Sequence, residues 1–349
     1  MIIREAIQED NQQLIELQKK CPMGSDMLLQ LDSSPDFFNR SRGYKDWHLL
    51  VAEEEGKILG AAGYAVQDKP IGGETYSMVY EYGVMVDPDA RRKGIASSLQ
   101  REIEARTSGS DYMHLNITED NIASHSFFKG YGFEPVKKCV PLMVMAYKEH
   151  KVEDLKIRRM REGDIPVVVD LLNETYRGYD FYEPFTEDSF MEHYGRLPFY
   201  SLNDIYLFEQ DTVMAVAGVW DYDKVMKFTL LKFNNRWKMM RLMTKVMGLL
   251  TAMPKMSGVG EQMSNWYLTP LGYRDPDAAS QLVGYLLNLA YKRNVGMISL
   301  PLAADSPIKE VLSGYRYGEG SFIWYMKSIS GKELHDVSSK PLFVDVKDV

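Results

Sequence analysis

Apolar positions along this chain follow helical and strand rhythms in an order that begins twice. Ile2 and Ile3 precede Asp10, after which Leu14, Ile15 and Leu17 recur at helix-face spacing. The same order returns with Ile157, Asp164 and the set Val167, Val168, Leu171 and Leu172. An aspartate just before a helical apolar period reads as an N-cap, so a short strand and a capped helix open both stretches. The closings match as well. Gly130-Tyr131-Gly132-Phe133 leads into a strand-like run at 140–147, and Gly314-Tyr315-Arg316-Tyr317 into another at 321–326. Two copies of one fold are expected, over 1–150 and 155–329, joined by a charged linker at 150–154. From Asp10 to Gly130 is 120 residues and from Asp164 to Gly314 is 150, which places an insertion near 227–255. Residues 330–349 read as a loosely attached tail.

Within the first copy the pattern predicts a strand at 2–6, a helix at 11–20 and a variable segment at 21–44. Strands follow at 49–53, 58–67 and 75–86, with Gly72-Gly73 at a turn. A helix at 94–106, a strand at 113–117, a helix at 122–129 and a strand at 140–147 complete it. Strands in meander order, then a helical crossover, predict an α+β layered fold: a mixed, mostly antiparallel sheet flanked by helices. A doubly wound Rossmann sheet would alternate strand and helix from the start.

A length of 349 residues accommodates two such units, and 45% hydrophobic with 26% charged residues is ordinary for a soluble globular chain. The formal net charge of −8 offers no footprint for nucleic acid. Residues 1–150 carry 17 basic against 23 acidic side chains, so the consecutive Arg91, Arg92 and Lys93 stand out as a local site for an anionic ligand. Cys21 and Cys139 are the only cysteines, which excludes a disulfide scaffold and fits a cytoplasmic setting. No apolar run is long enough for a membrane span, and no cysteine pair has metal-ligand spacing. Neither a membrane, a metal nor a nucleic acid is expected as partner.

The strongest chemical signal lies at 84–99, where a β-rich run through Val84, Met85 and Val86 reaches Asp87-Pro88 and then Arg91-Arg92-Lys93-Gly94-Ile95-Ala96-Ser97. Gly94 permits close backbone approach, and the N–H groups opening the following helix aim at the same spot as the three cations. This is a cradle for phosphate fed by a strand, lacking both the Rossmann glycine pattern and the P-loop lysine.

With its neighbours, this segment resembles the GNAT family of acetyl-CoA-dependent N-acetyltransferases. Arg91-x-x-Gly94-x-Ala96 is similar to the family's pyrophosphate loop, and Asn121, Ser124, Phe127, Phe128 and Gly132-Phe133 fall in its second conserved-pattern segment. The resemblance implies that Val84, Met85 and Val86 present backbone groups to the pantetheine arm of acetyl-CoA, and that a backbone N–H near Val84 or Met85 polarises the thioester. It implies that residues 91–97 hold the pyrophosphate, and that Asn121 with Ser124, Phe127 and Phe128 lies along the cofactor arm. The fold it implies is a pair of tandem GNAT domains, the second degenerate.

Acyl transfer to an amine needs a deprotonated nucleophile and a polarised carbonyl, and is helped by a proton for the departing thiolate. Glu81, on the strand leading to Val84, is the candidate base, with a surface glutamate as the plain alternative. Alternation puts it on the face opposite Tyr80 and Tyr82, so only one set can point into the cleft. The family's usual tyrosine acid falls on Phe128, which has no proton to give. Tyr131 is the remaining candidate acid, and otherwise a packed aromatic. His114 and His125 read as ordinary strand or surface histidines and Cys139 as a buried thiol. Residues 23–44, mixing Phe37-Phe38 with Arg40 and Arg42, read equally as an acceptor pocket or as helices packed on the sheet.

Asp275-Pro276-Asp277-Ala278 repeats the letters of Asp87-Pro88-Asp89-Ala90, but no counterpart of residues 91–96 follows it. The second copy is therefore expected to lack coenzyme A binding and to support the fold, help form the acceptor cleft or mediate a homodimer. The basic, Met-rich stretch 234–247 reads as a helix covering one face of the second sheet, with a membrane-surface or partner helix as the alternative. The expected function is transfer of an acetyl group from acetyl-CoA to a primary amine, on a small molecule or peptide, by direct attack in a ternary complex. A non-catalytic acyl-CoA-binding or regulatory module is the competing class.

Overall fold

The computed structural model describes residues 1–349 except 249, 335, 336, 338 and 339, and the side chain of residue 154. Its first half runs β1 (Ile2–Glu5), α1 (Asn11–Lys19), β2 (Met27–Asp32), α2 (Asn39–Arg42), β3 (Asp46–Glu54), β4 (Lys57–Ile71), β5 (Glu74–Val86), α3 (Ile95–Arg106), β6 (Tyr112–Thr118), α4 (Ile122–Gly130) and β7 (Glu134–Met145). The second half runs β8 (Ile157–Arg159), α5 (Ile165–Thr175), α6 (Glu187–Gly195), β9 (Ile205–Glu209), β10 (Val213–Asp221), β11 (Lys227–Phe233) and α7 (Asn235–Met247). It continues through β12 (Gln262–Met263), β13 (Asn265–Tyr273), α8 (Pro276–Lys292), β14 (Met297–Ala303), β15 (Tyr317–Glu319) and β16 (Phe322–Ser328). The elements make the mixed, helix-flanked α+β architecture that the hydrophobic pattern predicts.

Both beginnings are built around the same ion-paired turn. Arg4 on β1 grips Asp10 through two hydrogen bonds of 2.6 and 2.9 Å, Asp10 accepts from the Ile7 N–H, and Glu53 on the neighbouring strand takes the rest of the guanidinium. Arg158, Asp164, the Arg161 N–H and Glu209 repeat this arrangement in the second half. A planar guanidinium with two bidentate-capable carboxylates fixes the angle at which the strand enters the first helix.

One main sheet spans both halves in the order β1-β3-β4-β5-β6-β16-β7-β14-β13-β10-β9-β8. The strand closing the second half, β16, lies between β6 and β7 of the first, with Trp324 opposite Asn116 and Tyr325 opposite Leu115. In turn β7 pairs along its length with β14, Leu142 facing Leu300. The halves thus share a core across this seam, where Tyr112, Cys139, Ala303, Trp324 and Met326 pack together. The first half's own core gathers Leu99, Ile103, Leu115 and Phe133, and the second half's gathers Leu171, Trp220, Leu282 and Ile298.

Each half also has one parallel strand pair that stops short. β5 pairs with β6 only from Met78–Tyr80 to Tyr112–His114, and β13 with β14 only from Asn265–Tyr267 to Met297–Ser299. Beyond those points both members continue unpaired with each other, which opens a cleft between them. A bulge lies just past the last parallel pair on the antiparallel side of each strand, between Ala61 and Gly63 against β5 and between Ala217 and Val219 against β13.

Three expectations need correcting. Residues 21–44 do not form a helix pair: they hold β2, which pairs with β11 of the second half, and the single short helix α2. The short apolar run of Leu28, Leu29 and Leu31 beside a strand edge gains more as ladder than as helix. The stretch at 234–247 is helical but does not cover a sheet. No residue of α7 is buried, and Met239, Leu242, Met243, Val246 and Met247 face outward. Within the expected insertion 227–255, residue 249 lies outside the described residues. Finally, the tail is not loosely attached. Apart from 335, 336, 338 and 339, which lie outside the described residues, it packs into the molecule, and Leu342, Val344, Val346 and Asp348 are buried. Its apolar residues Leu342, Val344 and Val346 line a cavity together with residues of β13 and β14.

Candidate functional site

The turn from β5 into α3 brings the expected cradle residues together. Asp87, buried between Lys20 and Lys57, accepts from the Asp89 N–H and fixes the turn. The backbone then passes through the left-handed region at Arg92 (φ 63°) and again at Gly94 (φ 80°), which turns successive N–H groups to one side. Gly94 is the N-cap of α3 and supplies no side chain to occupy the first-turn donors. Arg91, Arg92 and Lys93 are exposed, and none of them has an ion pair among the described residues. Ile95 is buried and seats the helix on β4: a Cβ at Gly60 would lie 2.6 Å from its side chain. Gly60 is a site-forming residue that sequence reading missed, and its only signal was a glycine inside a strand pattern. Ala96 and Ser97 follow in the half-buried first turn.

Val84, Met85 and Val86 lie past the last β5–β6 pair, so their edge toward β6 is open. Gly83, at φ 63°, marks the bulge just before them. This edge, the cradle and α4 line the same opening.

On α4 the residues divide. Asn121 is the N-cap, its Oδ1 accepting from the Ser124 N–H at 3.2 Å, so that oxygen is committed to the helix rather than to the cleft. Phe128 is buried against Phe133, and Phe127 packs on both Phe128 and Tyr131. Neither ring brings a polar group to the opening. Tyr131 directs its hydroxyl toward the Ser97 carbonyl at 3.4 Å, at the start of α3 beside the cradle and not where β5 and β6 part. The Cys139 thiol is buried, and burial pushes it up to about 12.

Glu81 falls on the α3 side of β5. Its carboxyl is buried near Gln100, with Glu104 and Lys327 beyond, and one of its oxygens has no hydrogen-bond partner among the described residues. Burial pushes its pKa up to about 8, against which the Gln100 contact works only in part. The carboxyl thus lies on the α3 side of the strand, on the face away from Tyr80 and Tyr82. The alternation that separates Glu81 from the tyrosines was legible in the sequence.

That other face carries a dense polar cluster. Tyr44 stacks on Tyr82 and Tyr80, with ring centroids 5.4 and 5.9 Å away, and Arg40 lies over the Tyr82 ring. The tail reaches in from the second half, so that the Tyr44 hydroxyl donates to the Lys347 carbonyl and the Tyr80 hydroxyl to that of Asp348. Behind it, Asp345 meets Lys347 at 3.2 Å and His193 at 3.6 Å. Burial raises the Asp345 carboxyl, but Lys347, His193 and Lys69 together outweigh that and hold it below its usual range. His114 is fully buried against Trp324 with neither ring nitrogen bonded, and burial, aided by Lys69, keeps it neutral. Ser25 donates to Asp120 through both its backbone N–H and its hydroxyl. Among the described residues no group of side chains could hold a metal ion, and no helix is long and apolar enough to cross a membrane.

A parted strand pair with a phosphate-type cradle at its mouth defines the class: this is a GNAT-type acyltransferase fold. Residues 11–133 match the acetyltransferase (GNAT) family. An 88-residue stretch is 32% identical to the L-amino acid N-acetyltransferase AaaT of Escherichia coli K12, covering 24% of this chain and about half, 52%, of that relative. In three dimensions the chain resembles Saccharomyces cerevisiae N-myristoyltransferase solved with myristoyl-CoA, with a TM-score of 0.63 at 13% identity over 93% of this chain and 82% of the other. It also resembles a GCN5-related N-acetyltransferase from Anabaena variabilis, with a TM-score of 0.52 at 13% identity over 94% and 72%. At such identity the likeness is one of fold.

Proposed function

We propose that this protein is an N-acetyltransferase that passes the acetyl group of acetyl-CoA to a primary amine by direct attack within a ternary complex. The observation that carries the reading is the cradle at 91–97. It combines two left-handed backbone positions, unoccupied first-turn donors of α3 and three cations without carboxylate partners, all beside the open edge of β5. Such a surface suits a pyrophosphate followed by an amide-bearing arm. In this reading residues 91–97 hold the phosphates, and Val84, Met85 and Val86 pair with the arm. An N–H near Val84 or Met85 stabilises the oxygen that gains charge during transfer. Ser124, Phe127 and Phe128 shape the wall on the α4 side. The cosubstrate supplies an activated thioester; the chain supplies position and a site shielded from water. Glu81 supports packing under α3, and Tyr131 stays a candidate acid only through its place beside the cradle.

The domains at 1–150 and 155–329 are read as tandem copies, the second degenerate. Its helix α8 starts directly on the cap Asp275, with no loop before it, and the tail lies along the opening that a cofactor arm would need. The second copy then shapes the acceptor side, to which the amino acid relative points for an amine of that kind. The two free thiols fit a cytoplasmic setting.

Release of free thiol from acetyl-CoA, measured over a panel of amino acids, polyamines and peptides alongside calorimetry of coenzyme A, tests the proposal. Turnover on an amine is expected. Phe128, lacking the usual hydroxyl, favours a second reading, an acyl-CoA-binding module without catalysis. Tight binding with no turnover on any amine would establish it, and absence of binding would remove both. Running decanoyl- and myristoyl-CoA in parallel decides the acyl length.

A further inference from the structure

The side chain of Arg40 is in an unusual position for an arginine. Its Nε is buried with no hydrogen-bond partner, its Nη2 meets the Tyr80 hydroxyl only at 3.4 Å, and the guanidinium carbon sits 5.1 Å from the Tyr82 ring centroid. It has no carboxylate partner among the described residues. Arg42, two residues on, pairs with Asp36, and Arg4, Arg106, Arg158, Arg196 and Arg274 are all paired too. Arg40 as a whole is half-buried, and holding a partly desolvated cation without a counter-charge is costly, a cost that a ligand's negative charge would offset. The nearby hydroxyls point the same way. Tyr222 and Tyr267, from the second half, lie within electrostatic reach of Arg40, and neither donates to any described residue. Arg40 thus brings an unpartnered donor to a group of tyrosines drawn from both halves, with the Asp348 carboxyl on the far side of Tyr80 and Tyr44.

We propose that Arg40, with the hydroxyls of Tyr222 and Tyr267, binds a carboxylate on the acceptor, so that the acceptor class is an amine carrying a single negative charge. A planar guanidinium matches a carboxylate in fork geometry, and one unpaired cation calls for a monoanion. The position suits the reaction: Tyr82, over which Arg40 lies, is two residues before Val84, across the bulge at Gly83. An amino group a few bonds from the carboxylate reaches the open edge of β5 from there. This deepens the acetyltransfer reading and rests on it for the role of the amine.

Calorimetry on the full chain, with N-acetylglycine, N-acetyl-L-phenylalanine and 3-phenylpropionate as probes and their neutral amides as controls, tests the site without turnover. At least one acid is expected to bind about 10–100-fold more tightly than its amide, and Arg40→Gln to bring it to the amide's level while acetyl-CoA binding is kept. Unliganded Arg40→Gln is expected to melt no lower than the native chain, since an uncompensated charge has been removed, and Arg40→Lys to recover only part of the affinity. Equal binding of acids and amides, an Arg40→Gln chain that fails to fold, or preference for inorganic phosphate would each overturn the proposal. Equal turnover of L-phenylalanine and 2-phenylethylamine would sink the carboxylate site alone. Arg40-dependent acid binding with no amine turned over would sink the acetyltransfer reading and uphold the anion site.

Discussion

Tyr80 on β5 and Asn116 on β6 donate to one acceptor, the carbonyl oxygen of Asp348, at 2.5 and 2.6 Å. Pairing between the two strands ends at Tyr80 opposite His114, so the chain's own backbone bridges them where they begin to part. Tyr80→Phe is expected to cost about 1 kcal/mol, the net value of one such bond. The double variant with Asn116→Ala should fall short of additivity, because both side chains serve the same oxygen. Removing residues 341–349 should cost several kcal/mol, since Leu342, Val344 and Val346 each leave a buried site worth ~1.5–3 kcal/mol. Urea unfolding reads all three, and a truncated chain as stable as the full one would show that the tail does not hold the cleft.

At Gly94 the backbone angle of 80° and the open space around a notional Cβ make separate demands. Any side chain there pays for the left-handed conformation, roughly 1–2 kcal/mol, and only a bulky one intrudes where phosphates would lie. Gly94→Ala should therefore weaken acetyl-CoA binding modestly. Gly94→Val should weaken it more than about 10-fold by adding branched bulk at the anion's position. Both should keep the fold. Equal affinity of native and valine chains, by calorimetry, would mean that the phosphates lie elsewhere.

The outward face of α7 gives a prediction of opposite kind. Leu242 and Met243 are more than half exposed, so replacing both by Gln removes little buried surface. The change in stability should stay within about 0.5 kcal/mol, as for surface substitutions in general. A loss of 2 kcal/mol or more in thermal unfolding would mean that this face is covered in solution.

Why the cradle was legible and the acceptor side was not follows from range. The run from Asp87 to Ser97 makes its turn with its own glycine, caps and cations, so its chemistry is local and shows in consecutive letters. The pairs of Arg4 with Asp10 and Arg158 with Asp164 are equally local, and the two beginnings were visible for that reason. Arg40, Tyr80 and Asn116 meet Tyr222, Tyr267 and Asp348 across up to 268 positions, as Tyr80 does with Asp348. The insertion of β16 between β6 and β7 and the pairing of β2 with β11 bring those segments together, and no short-range period announces such pairings. The tail was misread for a related cause: Leu342, Val344 and Val346 alternate like a strand, but the cleft that receives them belongs to β13 and β14.

Glu81 and His114 make the fold's stability depend on pH in opposite senses. Glu81 titrates at about 8 in the fold and near 4.5 when unfolded, so its contribution is complete below pH 4.5 and is lost as pH rises through 8. His114 is held well below 6.5 by burial, so its contribution is present above 6.5 and is lost as pH falls beneath it, when only the unfolded chain takes the proton. The two terms offset each other between about pH 4.5 and 6.5, so their joint contribution is greatest there and falls on either side. Glu81→Gln keeps the shape and the hydrogen bonding to Gln100 but cannot ionise. It should raise stability at pH 9 relative to the native chain, by something on the order of 3 kcal/mol, with little change at pH 5. The same variant decides the catalytic question, since losing a general base costs about 10²–10⁴ in rate. With the carboxyl under α3, kcat for acetyl transfer should instead fall by less than about threefold. A drop of a hundredfold at pH 7.5, together with loss of the alkaline limb of the rate profile, would return Glu81 to the role of base.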